Sequence, residues 1–302
     1  MDTGAHRGVA LVTFGSTADH RTGAFVAIVD QVLEHIMITI INGGTQGLGE
    51  AVARRLVTQG STGLVLAGRS VERGQALANE LTELGTASIF VQADMADPGA
   101  PNEIVQRCAD RFGTVHGLVN VAAVTTRATL WEDTPEHFDR MFAVNVKAPY
   151  FMVQAAATLM ISTQAKGSIV NVGSTSGHGG QTKLSAYSMS KGAMTIMTKN
   201  LAFALLRSNI RVNQVNPGWM ETESEHATQV NFDHSPDNWL ELAAPQRPLG
   251  RLVQPWEVAN LIAYCLSDDA GLLTGNCIDV DQSVQGAGDP PLPSAAETPR
   301  FM

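Results

Sequence analysis

The strongest constraint on the fold of this chain is the alternation of short apolar runs with longer stretches of helical periodicity, which begins near residue 36. This alternation is typical of parallel β-sheets whose strands are joined by helices on both faces. Seven runs are almost continuously apolar, as strands buried on both faces are. The predicted strands span residues 36–42, 63–67, 88–92, 117–121, 168–172, 210–216 and 277–281. We therefore expect an α/β protein with a doubly wound, mostly seven-stranded parallel sheet.

The stretch after the first predicted strand has the pattern of an amphipathic helix. Leu48, Val52 and Leu56 recur at four-residue spacing, which places them on one face. Longer helices are predicted over residues 134–163 and 185–208. Right-handed crossovers place the carboxyl ends of all the strands on one edge of the sheet, where ligands bind in such folds. The predicted architecture is a single-domain Rossmann fold with helices on both faces.

Three segments depart from this alternation and define the predicted domain organisation. Residues 1–35 form an N-terminal extension with no assigned role, ahead of a Rossmann-fold domain that spans residues 36–285. Within that domain, residues 219–248 are long, polar and aromatic, and we expect a partly helical lid over the substrate. Residues 286–302 are rich in proline and glycine and are predicted to form a flexible tail.

Composition bears on the partners of the chain. Its 302 residues carry a formal net charge of −9 without a basic block, so we expect neither nucleic acid nor a membrane as a partner. No apolar run approaches the roughly 20 residues of a membrane span, and no secretory signal is evident. The three cysteines give no support for a disulfide framework, which favours the cytoplasm. No metal-ligand spacing occurs, so no metal is expected.

A glycine-rich loop joins the first predicted strand to the first helix, with the sequence Asn-Gly-Gly-Thr-Gln-Gly-Leu-Gly at residues 42–49. Glycines let a ligand approach the backbone, and the N–H groups at the start of a helix can bind a pyrophosphate. Such loops also occur in ordinary turns, but a strand before and a helix after favour a dinucleotide site. The candidate cofactor-binding residues in this loop are Gly43, Thr45, Gln46, Gly47, Leu48 and Gly49.

This loop resembles that of the short-chain dehydrogenases/reductases. Gly43, Gly47 and Gly49 match the TGxxxGxG pattern of the family, with Asn42 in place of its usual threonine. The resemblance extends over residues 36–283 and indicates a classical member of the family.

Further matches add residues that the resemblance places at the cofactor. They are the aspartate that contacts adenine in the family, the Asn-Pro-Gly after the sixth strand, and a segment at residues 120–123 in the place of the NNAG motif. Two of those four positions differ, since Val121 replaces an asparagine and Ala123 a glycine. The implied cofactor-binding residues are Asp94, Met95, Asn120, Ala122, Pro217 and Gly218.

The end of the second predicted strand bears on the choice between NADP and NAD. An acidic residue at this position holds the ribose 2′-hydroxyl of NAD, but Gly68 stands there and Arg69 follows. A guanidinium pairs bidentately with a 2′-phosphate, so NADP is the preferred cofactor. The other position where the family often has a basic NADP-binding residue holds Gln46, so NAD stays an alternative.

A tyrosine and a lysine at helical spacing form the candidate catalytic pair. Tyr187 and Lys191 lie four residues apart in a predicted helix, so both side chains lie on one face. A free tyrosine titrates near pH ~10, and a neighbouring positive charge favours its ionised form. Such a pair is often only a surface pair, but Ser174 precedes Tyr187 by thirteen residues in a strand-end loop, as in the family. Ser176 is the fallback for that serine.

Asn145 completes the set by matching the asparagine of the family's catalytic tetrad. The resemblance implies that Tyr187 exchanges a proton with the substrate oxygen, that Ser174 holds this oxygen, and that Asn145 orders a water. It also implies that Lys191 lowers the pKa of Tyr187 and binds the nicotinamide ribose. The implied activity is NAD(P)(H)-dependent interconversion of a carbonyl and a secondary alcohol by hydride transfer.

Two other functions compete with this activity. A catalytically silent nicotinamide-binding sensor or scaffold of the same fold is expected to have a damaged tetrad, whereas all four positions are intact. An enoyl reductase of this superfamily normally has a wider spacing between its tyrosine and lysine.

No motif identifies the substrate, a small-molecule carbonyl or alcohol. Polar side chains would bind the hydroxyls of a sugar or polyol, whereas two tryptophans would line a steroid-like or acyl pocket. The polar candidates are His178, Gln181, Thr222 and Glu223, and the tryptophans are Trp219 and Trp239. The resemblance also implies a homotetramer or homodimer, which we expect to form through the two long helices.

Overall fold

The computed structural model describes residues 37–179 and 181–283. The predictions for the N-terminal extension, residues 1–35, and for the tail, residues 286–302, lie outside the described residues. The described part contains one seven-stranded sheet in the order β3-β2-β1-β4-β5-β6-β7, with every neighbouring pair parallel. The strands are β1 (Ile38–Asn42), β2 (Gly63–Gly68), β3 (Ala87–Gln92), β4 (Gly117–Asn120), β5 (Gly167–Val172), β6 (Ile210–Pro217) and β7 (Cys277–Val280).

Nine α-helices connect or flank these strands within the described residues. They are α1 (Gly47–Thr58), α2 (Val71–Glu83), α3 (Ala100–Phe112), α4 (Pro135–Phe142), α5 (Ala148–Ser162), α6 (Ser185–Leu205), α7 (Glu223–Asn231), α8 (Trp239–Ala243) and α9 (Pro255–Leu266). Local signals explain several of their ends. The Ser70 hydroxyl accepts from the backbone of Arg73 and so caps α2, Thr134 caps α4 in the same way, and α3 stops at Gly113 in a left-handed conformation.

The doubly wound Rossmann architecture predicted from the alternating pattern is confirmed, and each strand lies within two residues of its predicted ends. Alternate residues of β1 explain why the apolar runs are continuous. Ile38 and Ile40 pack on one face with α3, α5 and α6, whereas Ile41 packs on the other with α1, α2 and α9. A strand with helices on both faces buries both sets of side chains.

One predicted helix differs from the structure. The stretch predicted as one helix over residues 134–163 consists of α4, a π-helical turn at Ala143–Lys147, and α5. The prediction of an uninterrupted helix was wrong, because a π-turn contains an extra residue that periodicity alone does not reveal. Asn145, a candidate site residue, lies in this turn.

The strand order reverses between β1 and β4, so the crevice at the carboxyl ends of these strands is the expected ligand site of a doubly wound sheet. Across residues 37–179 and 181–283, no helix is both long and apolar enough to cross a membrane. The same residues contain no group of three or more metal-ligating side chains placed to hold an ion.

Candidate active site

A chain of buried side-chain hydrogen bonds crosses the carboxyl edge of the sheet from β1 to β7. The Asn42 amide donates to Asn120 Oδ1 at 2.9 Å, and the Asn120 amide donates to Asn171 Oδ1 at 2.9 Å. Because these hydrogen bonds are buried, they fix the relative positions of the strand ends. The chain continues in the order Thr198, Gln214, Asn216 and Asp279.

Sequence reasoning identified Asn120 but missed the rest of this chain. A signal was available, because an amide side chain near the end of a strand that is otherwise apolar must find a buried partner. Asn42, Asn171 and Asn216 each stand in such a position.

The glycine loop between β1 and α1 is shaped for close approach to the backbone. Gly43 has a φ of +80°, and a Cβ at this position would lie 2.5 Å from the backbone nitrogen of Ala122. A Cβ at Gly49 would collide with the Gly43 carbonyl oxygen. Gln46 gives α1 no side-chain cap, so the first N–H groups of α1 lack that partner. The loop therefore offers backbone donors to an anion such as a pyrophosphate.

The Gln46 side chain instead ties the glycine loop to neighbouring helices. It donates to the Ser224 hydroxyl of α7 at 2.8 Å and accepts from Arg73 of α2 at 3.0 Å. Arg73 also forms an ion pair of 2.9 Å with Glu223. These contacts attach the start of α7 to the glycine loop. Leu48, on α1, lines the cleft.

Gly68 and Arg69, at the end of β2, lie where an adenosine ribose binds in folds of this kind. A Cβ at Gly68 would lie 2.9 Å from the Thr45 hydroxyl, so the absence of a side chain at Gly68 makes room for Thr45. Arg69 is exposed, and among the described residues its guanidinium has no hydrogen bond or ion pair.

Asp94 and Met95 follow β3 on the same side of the site. The Asp94 carboxylate accepts from the backbone N–H of Ala96 at 2.9 Å and from Arg140 at 3.2 Å. The backbone hydrogen bond is the main reason that the pKa of Asp94 lies below its usual value. Met95 is buried. Neither residue lines the cleft that contains Tyr187, so the predicted adenine contacts lie apart from the predicted catalytic groups.

The cleft at the carboxyl edge of the sheet has a volume of about 1680 Å³. It is lined by residues from the loops after β4, β5, β6 and β7 and from the segment predicted to be a lid. Five predicted site residues lie on its wall besides Leu48: Ser174, Tyr187, Lys191, Pro217 and Gly218. A Cβ at Gly218 would collide with the Asp281 carboxylate, which explains a glycine there.

Tyr187 and Lys191 share one face of α6, as predicted from their spacing. The Lys191 ammonium lies 5.7 Å from the centre of the Tyr187 ring and donates to the Val172 carbonyl oxygen at 2.8 Å. Lys191 is only 2% exposed, and this burial lowers its pKa to about 8. Both side chains reach the cleft, where Lys191 also approaches the end of β5.

The pKa of Tyr187 shifts in the direction opposite to the sequence-based expectation. Burial raises the pKa of the phenol, and hydrogen bonding by Ser174 only partly opposes this shift. The Lys191 ammonium lies 5.7 Å from the ring centre and donates its hydrogen bond to a backbone carbonyl. In this arrangement burial outweighs the hydrogen bond and the neighbouring charges, so the phenol keeps its proton at neutral pH.

Ser174, rather than the fallback Ser176, is the serine beside Tyr187. Ser174 follows β5 in an extended conformation, and its hydroxyl also accepts a hydrogen bond from the Ser176 backbone N–H at 3.1 Å. The Ser176 hydroxyl donates to Gln181 at 3.3 Å. The structure thus places one hydroxyl at the tyrosine and directs the other towards Gln181.

Asn145 anchors the loop that follows β4. Its amide oxygen accepts from the Val124 backbone N–H at 2.7 Å, and its amide nitrogen donates to the Val124 carbonyl oxygen at 3.0 Å. The same nitrogen contacts the Ser190 hydroxyl on α6 at 3.1 Å. Asn145 does not line the cleft, so its contacts make it a residue that positions the loop and α6.

The anchored loop runs as an extended segment along the cleft. Three hydrogen bonds hold alternate residues of this segment. Val124 is bound by Asn145, and the Thr126 hydroxyl is hydrogen-bonded to His137 at 2.7 Å. The backbone N–H of Ala128 donates to the Lys183 carbonyl oxygen at 3.1 Å. The alternate residues between these anchors face the cleft, as expected for an extended chain. They are Ala123, Thr125 and Arg127.

Arg127 connects this segment to the predicted lid. It forms ion pairs with Glu225 at 3.0 Å and Asp233 at 2.6 Å, and Glu225 also accepts from the Trp219 indole N–H at 2.7 Å. Sequence reasoning missed Arg127, which stands in a loop without a diagnostic motif. The ion pairs hold α7 across the cleft from Tyr187.

Comparison with known proteins is consistent with this geometry. The family model described as enoyl-(acyl carrier protein) reductase matches residues 43–284, which is most of the chain. A curated relative, the 4-formylbenzenesulfonate dehydrogenase of Comamonas testosteroni, is 36% identical over 81% of this chain and 96% of its own length. The chain belongs to the short-chain dehydrogenase/reductase family. It is therefore an oxidoreductase.

Other members of the short-chain dehydrogenase/reductase family show the same extent of similarity. The L-xylulose reductase of Caenorhabditis elegans is 31% identical over 80% of this chain and 93% of its own. A crystal structure of a single-residue variant of the actinorhodin polyketide ketoreductase with NADPH matches with a TM-score of 0.77 and 27% identity, over 82% of this chain and 97% of that one. The family-model match, residues 43–284, includes the glycine loop from Gly43 onward and strands β2 to β7.

Proposed function

We propose that this protein interconverts a carbonyl and a secondary alcohol with a nicotinamide cofactor and that Tyr187 is its acid/base. The observation that carries the proposal is the convergence of Tyr187, Ser174 and Lys191 on one cleft at the reversal point of the sheet. Family membership supports a nicotinamide-dependent oxidoreductase, and the intact tetrad argues against a silent binding protein.

The residues of the glycine loop fit a dinucleotide. A Cβ at Gly43 or Gly49 would meet neighbouring backbone, so glycine at both positions keeps the loop tight, and the start of α1 supplies N–H groups without a side-chain cap. When bound, the cofactor supplies or accepts a hydride at C4 of its nicotinamide ring. Lys191, Pro217 and Gly218 on the cleft wall would hold the nicotinamide end.

In the reduction direction, Tyr187 donates its phenolic proton to the substrate oxygen. The raised pKa of Tyr187 suits this role, because a general acid must carry its proton at the working pH. Ser174 donates a hydrogen bond to the same oxygen and keeps it at the tyrosine. Lys191 supplies positive charge beside the ring and stabilises the phenolate that remains. The hydrogen bonds of Asn145 hold the loop at Val124 and helix α6 in place around these groups.

We propose NADP as the preferred cofactor, with NAD as the alternative. Thr45 fills the space where an acidic side chain after β2 would hold a ribose 2′-hydroxyl, so that contact with NAD is missing. Arg69 is exposed at the same place, where its guanidinium is available for a 2′-phosphate. The actinorhodin ketoreductase structure, at 27% identity, is described with NADPH, which agrees with this preference.

We further propose a homodimer or homotetramer in which two long helices meet. The exposed apolar residues Met189, Ile196 and Phe203 recur every seven residues along α6, and Phe203 is 84% exposed. Tyr150 and Phe151 are exposed on α5. Exposed apolar side chains repeated along one helix face are typical of a protein interface. The free cysteines favour a reducing compartment, as in the cytoplasm.

Cofactor affinity tests the proposal directly. Titration with NADPH and NADH, followed by fluorescence, is expected to show tighter binding of NADPH, and Arg69→Ala should weaken NADPH binding by about 10- to 100-fold while changing NADH little. Arg107→Ala, an exposed arginine of α3, controls for the lost charge. A carbonyl panel with the preferred cofactor then measures turnover. If neither cofactor binds, the proposed nicotinamide-dependent function is wrong.

A further inference from the structure

The wall of the cleft contains an arginine that the proposed reaction does not use. Arg247 lines the cleft, and among the described residues its guanidinium has neither a hydrogen bond nor an ion pair. Its Nε is buried without a partner, whereas the residue as a whole is only partly buried. A buried donor without an acceptor costs free energy unless a ligand supplies the acceptor.

The protein holds this arginine in place with stacked aromatic rings. The Arg247 guanidinium lies 5.6 Å from the centre of the Trp219 ring, and Trp219 stacks on Trp239 at 5.5 Å. Trp239 is only 4% exposed, and its indole N–H donates to His226 at 2.8 Å. Trp219 is fixed further by its bond to Glu225. A long, flexible side chain is thereby preorganised, which lowers the entropy cost of binding a ligand.

The other charged groups of the cleft are already paired. Glu225 and Asp233 are bound to Arg127, and Asp233 also lies 3.7 Å from Lys183. On the opposite wall, Asp279 contacts His178 and Asn216, and Asp281 contacts Ser283. Of the cations on the described cleft wall, Lys191 belongs to the proposed reaction and Arg247 is left without an anion.

A line of contacts connects this arginine to the reacting end of the cleft. Glu225 and Arg127 lie close enough to Tyr187 to influence its pKa, though less than burial and Ser174 do. Glu225 accepts a hydrogen bond from Trp219, and the Trp219 ring lies against the Arg247 guanidinium. Tyr187 and Arg247 therefore line one cleft, in which a substrate oxygen at Tyr187 and a charged group at Arg247 can be bound together.

Resting on the proposed function, we propose that Arg247 binds a carboxylate or sulfonate group at the end of the substrate opposite the reacting carbonyl. A guanidinium with free terminal nitrogens matches two oxygens of such a group bidentately. This assigns the enzyme to anionic oxo acids or their hydroxy counterparts, rather than to neutral sugars or polyols.

Matched pairs of ketones test the assignment. The pairs are 4-acetylbenzoate with 4-acetylbenzamide and 4-oxopentanoate with 4-oxopentanamide, which differ in charge but little in shape. Wild type is expected to reduce the acid of at least one pair with a kcat/KM about 10- to 100-fold above that of its amide. Arg247→Gln should reduce this ratio to near one, and Arg247→Glu should invert it. Arg107→Gln, on the exposed face of α3, should keep the wild-type ratio.

Three outcomes would overturn the assignment. The first is a wild type that reduces neutral carbonyls of a wider panel but shows no preference for the acids. The second is an acid preference that survives in both Arg247 variants, with circular dichroism confirming that they fold. The third is a loss of NADPH affinity in Arg247→Gln matching the loss in turnover, which would make Arg247 a cofactor residue. If wild type binds no nicotinamide cofactor, the proposed function itself fails.

Discussion

The stability of the protein should depend on pH through the buried ammonium of Lys191. Burial lowers the pKa of Lys191 from 10.5 to about 8. One pKa unit corresponds to about 1.4 kcal/mol, so keeping this group charged costs the fold roughly 3 kcal/mol at pH values below 8. Between pH 8 and 10.5 the unfolded chain binds the proton more tightly than the folded chain does. The free energy of unfolding therefore rises with pH through this window, by about 2–3 kcal/mol from pH 7 to pH 10.

The assay is urea denaturation at pH 7, 8, 9 and 10, comparing Tyr187→Phe with the double variant Tyr187→Phe/Lys191→Met. The shared Tyr187→Phe background removes the titration of the phenol. The free energy of unfolding of the lysine-containing protein should gain about 2–3 kcal/mol over the double variant as pH rises from 7 to 10. Lys199→Met, an exposed lysine of the same helix, controls for the lost charge. A difference that is constant across this range would refute the argument from burial.

Three further predictions follow from the packing of the site. Gly43→Ala should weaken NADPH binding and destabilise the protein by about 1–3 kcal/mol, because the new Cβ meets backbone at positive φ. Fluorescence titration and urea denaturation measure the two effects. The control Gly85→Ala, at positive φ in open space, should leave NADPH affinity unchanged. Asn145→Ala should cost about 2–4 kcal/mol of stability by leaving both backbone groups of Val124 unpaired, and a loss below about 0.5 kcal/mol in denaturation would contradict this. Phe203→Asp should lower the molar mass measured by light scattering, and an unchanged mass would exclude α6 from the interface.

Most of the fold could be predicted because its signals are local. A strand covered on both faces must be apolar at nearly every position, so the alternation of apolar runs with helical stretches located all seven strands. The spacing of Tyr187 and Lys191 placed them on one helix face, and the glycines at positions 43 and 49 indicated a loop where backbone is approached closely.

Features that depend on contacts distant in sequence could not be predicted. The π-turn around Asn145 is accompanied by bonds to Val124, 21 residues earlier, which no helical periodicity encodes. The pKa of Tyr187 depends on how deeply the phenol is buried, and spacing alone pointed in the wrong direction. Arg127 and Arg247 stand in loops without motifs. Only the folded chain shows that Arg127 forms ion pairs and that the Arg247 guanidinium lies against the Trp219 ring.

The most direct test of the central claim is turnover of Tyr187→Phe. NADPH consumption with the best carbonyl of a panel is measured beside NADPH affinity, for wild type and the variant. We predict that turnover falls at least ~100-fold while NADPH affinity stays within a few-fold of wild type, because the variant removes only the proton donor. Turnover close to that of wild type would contradict the claim that Tyr187 is the acid/base of this enzyme.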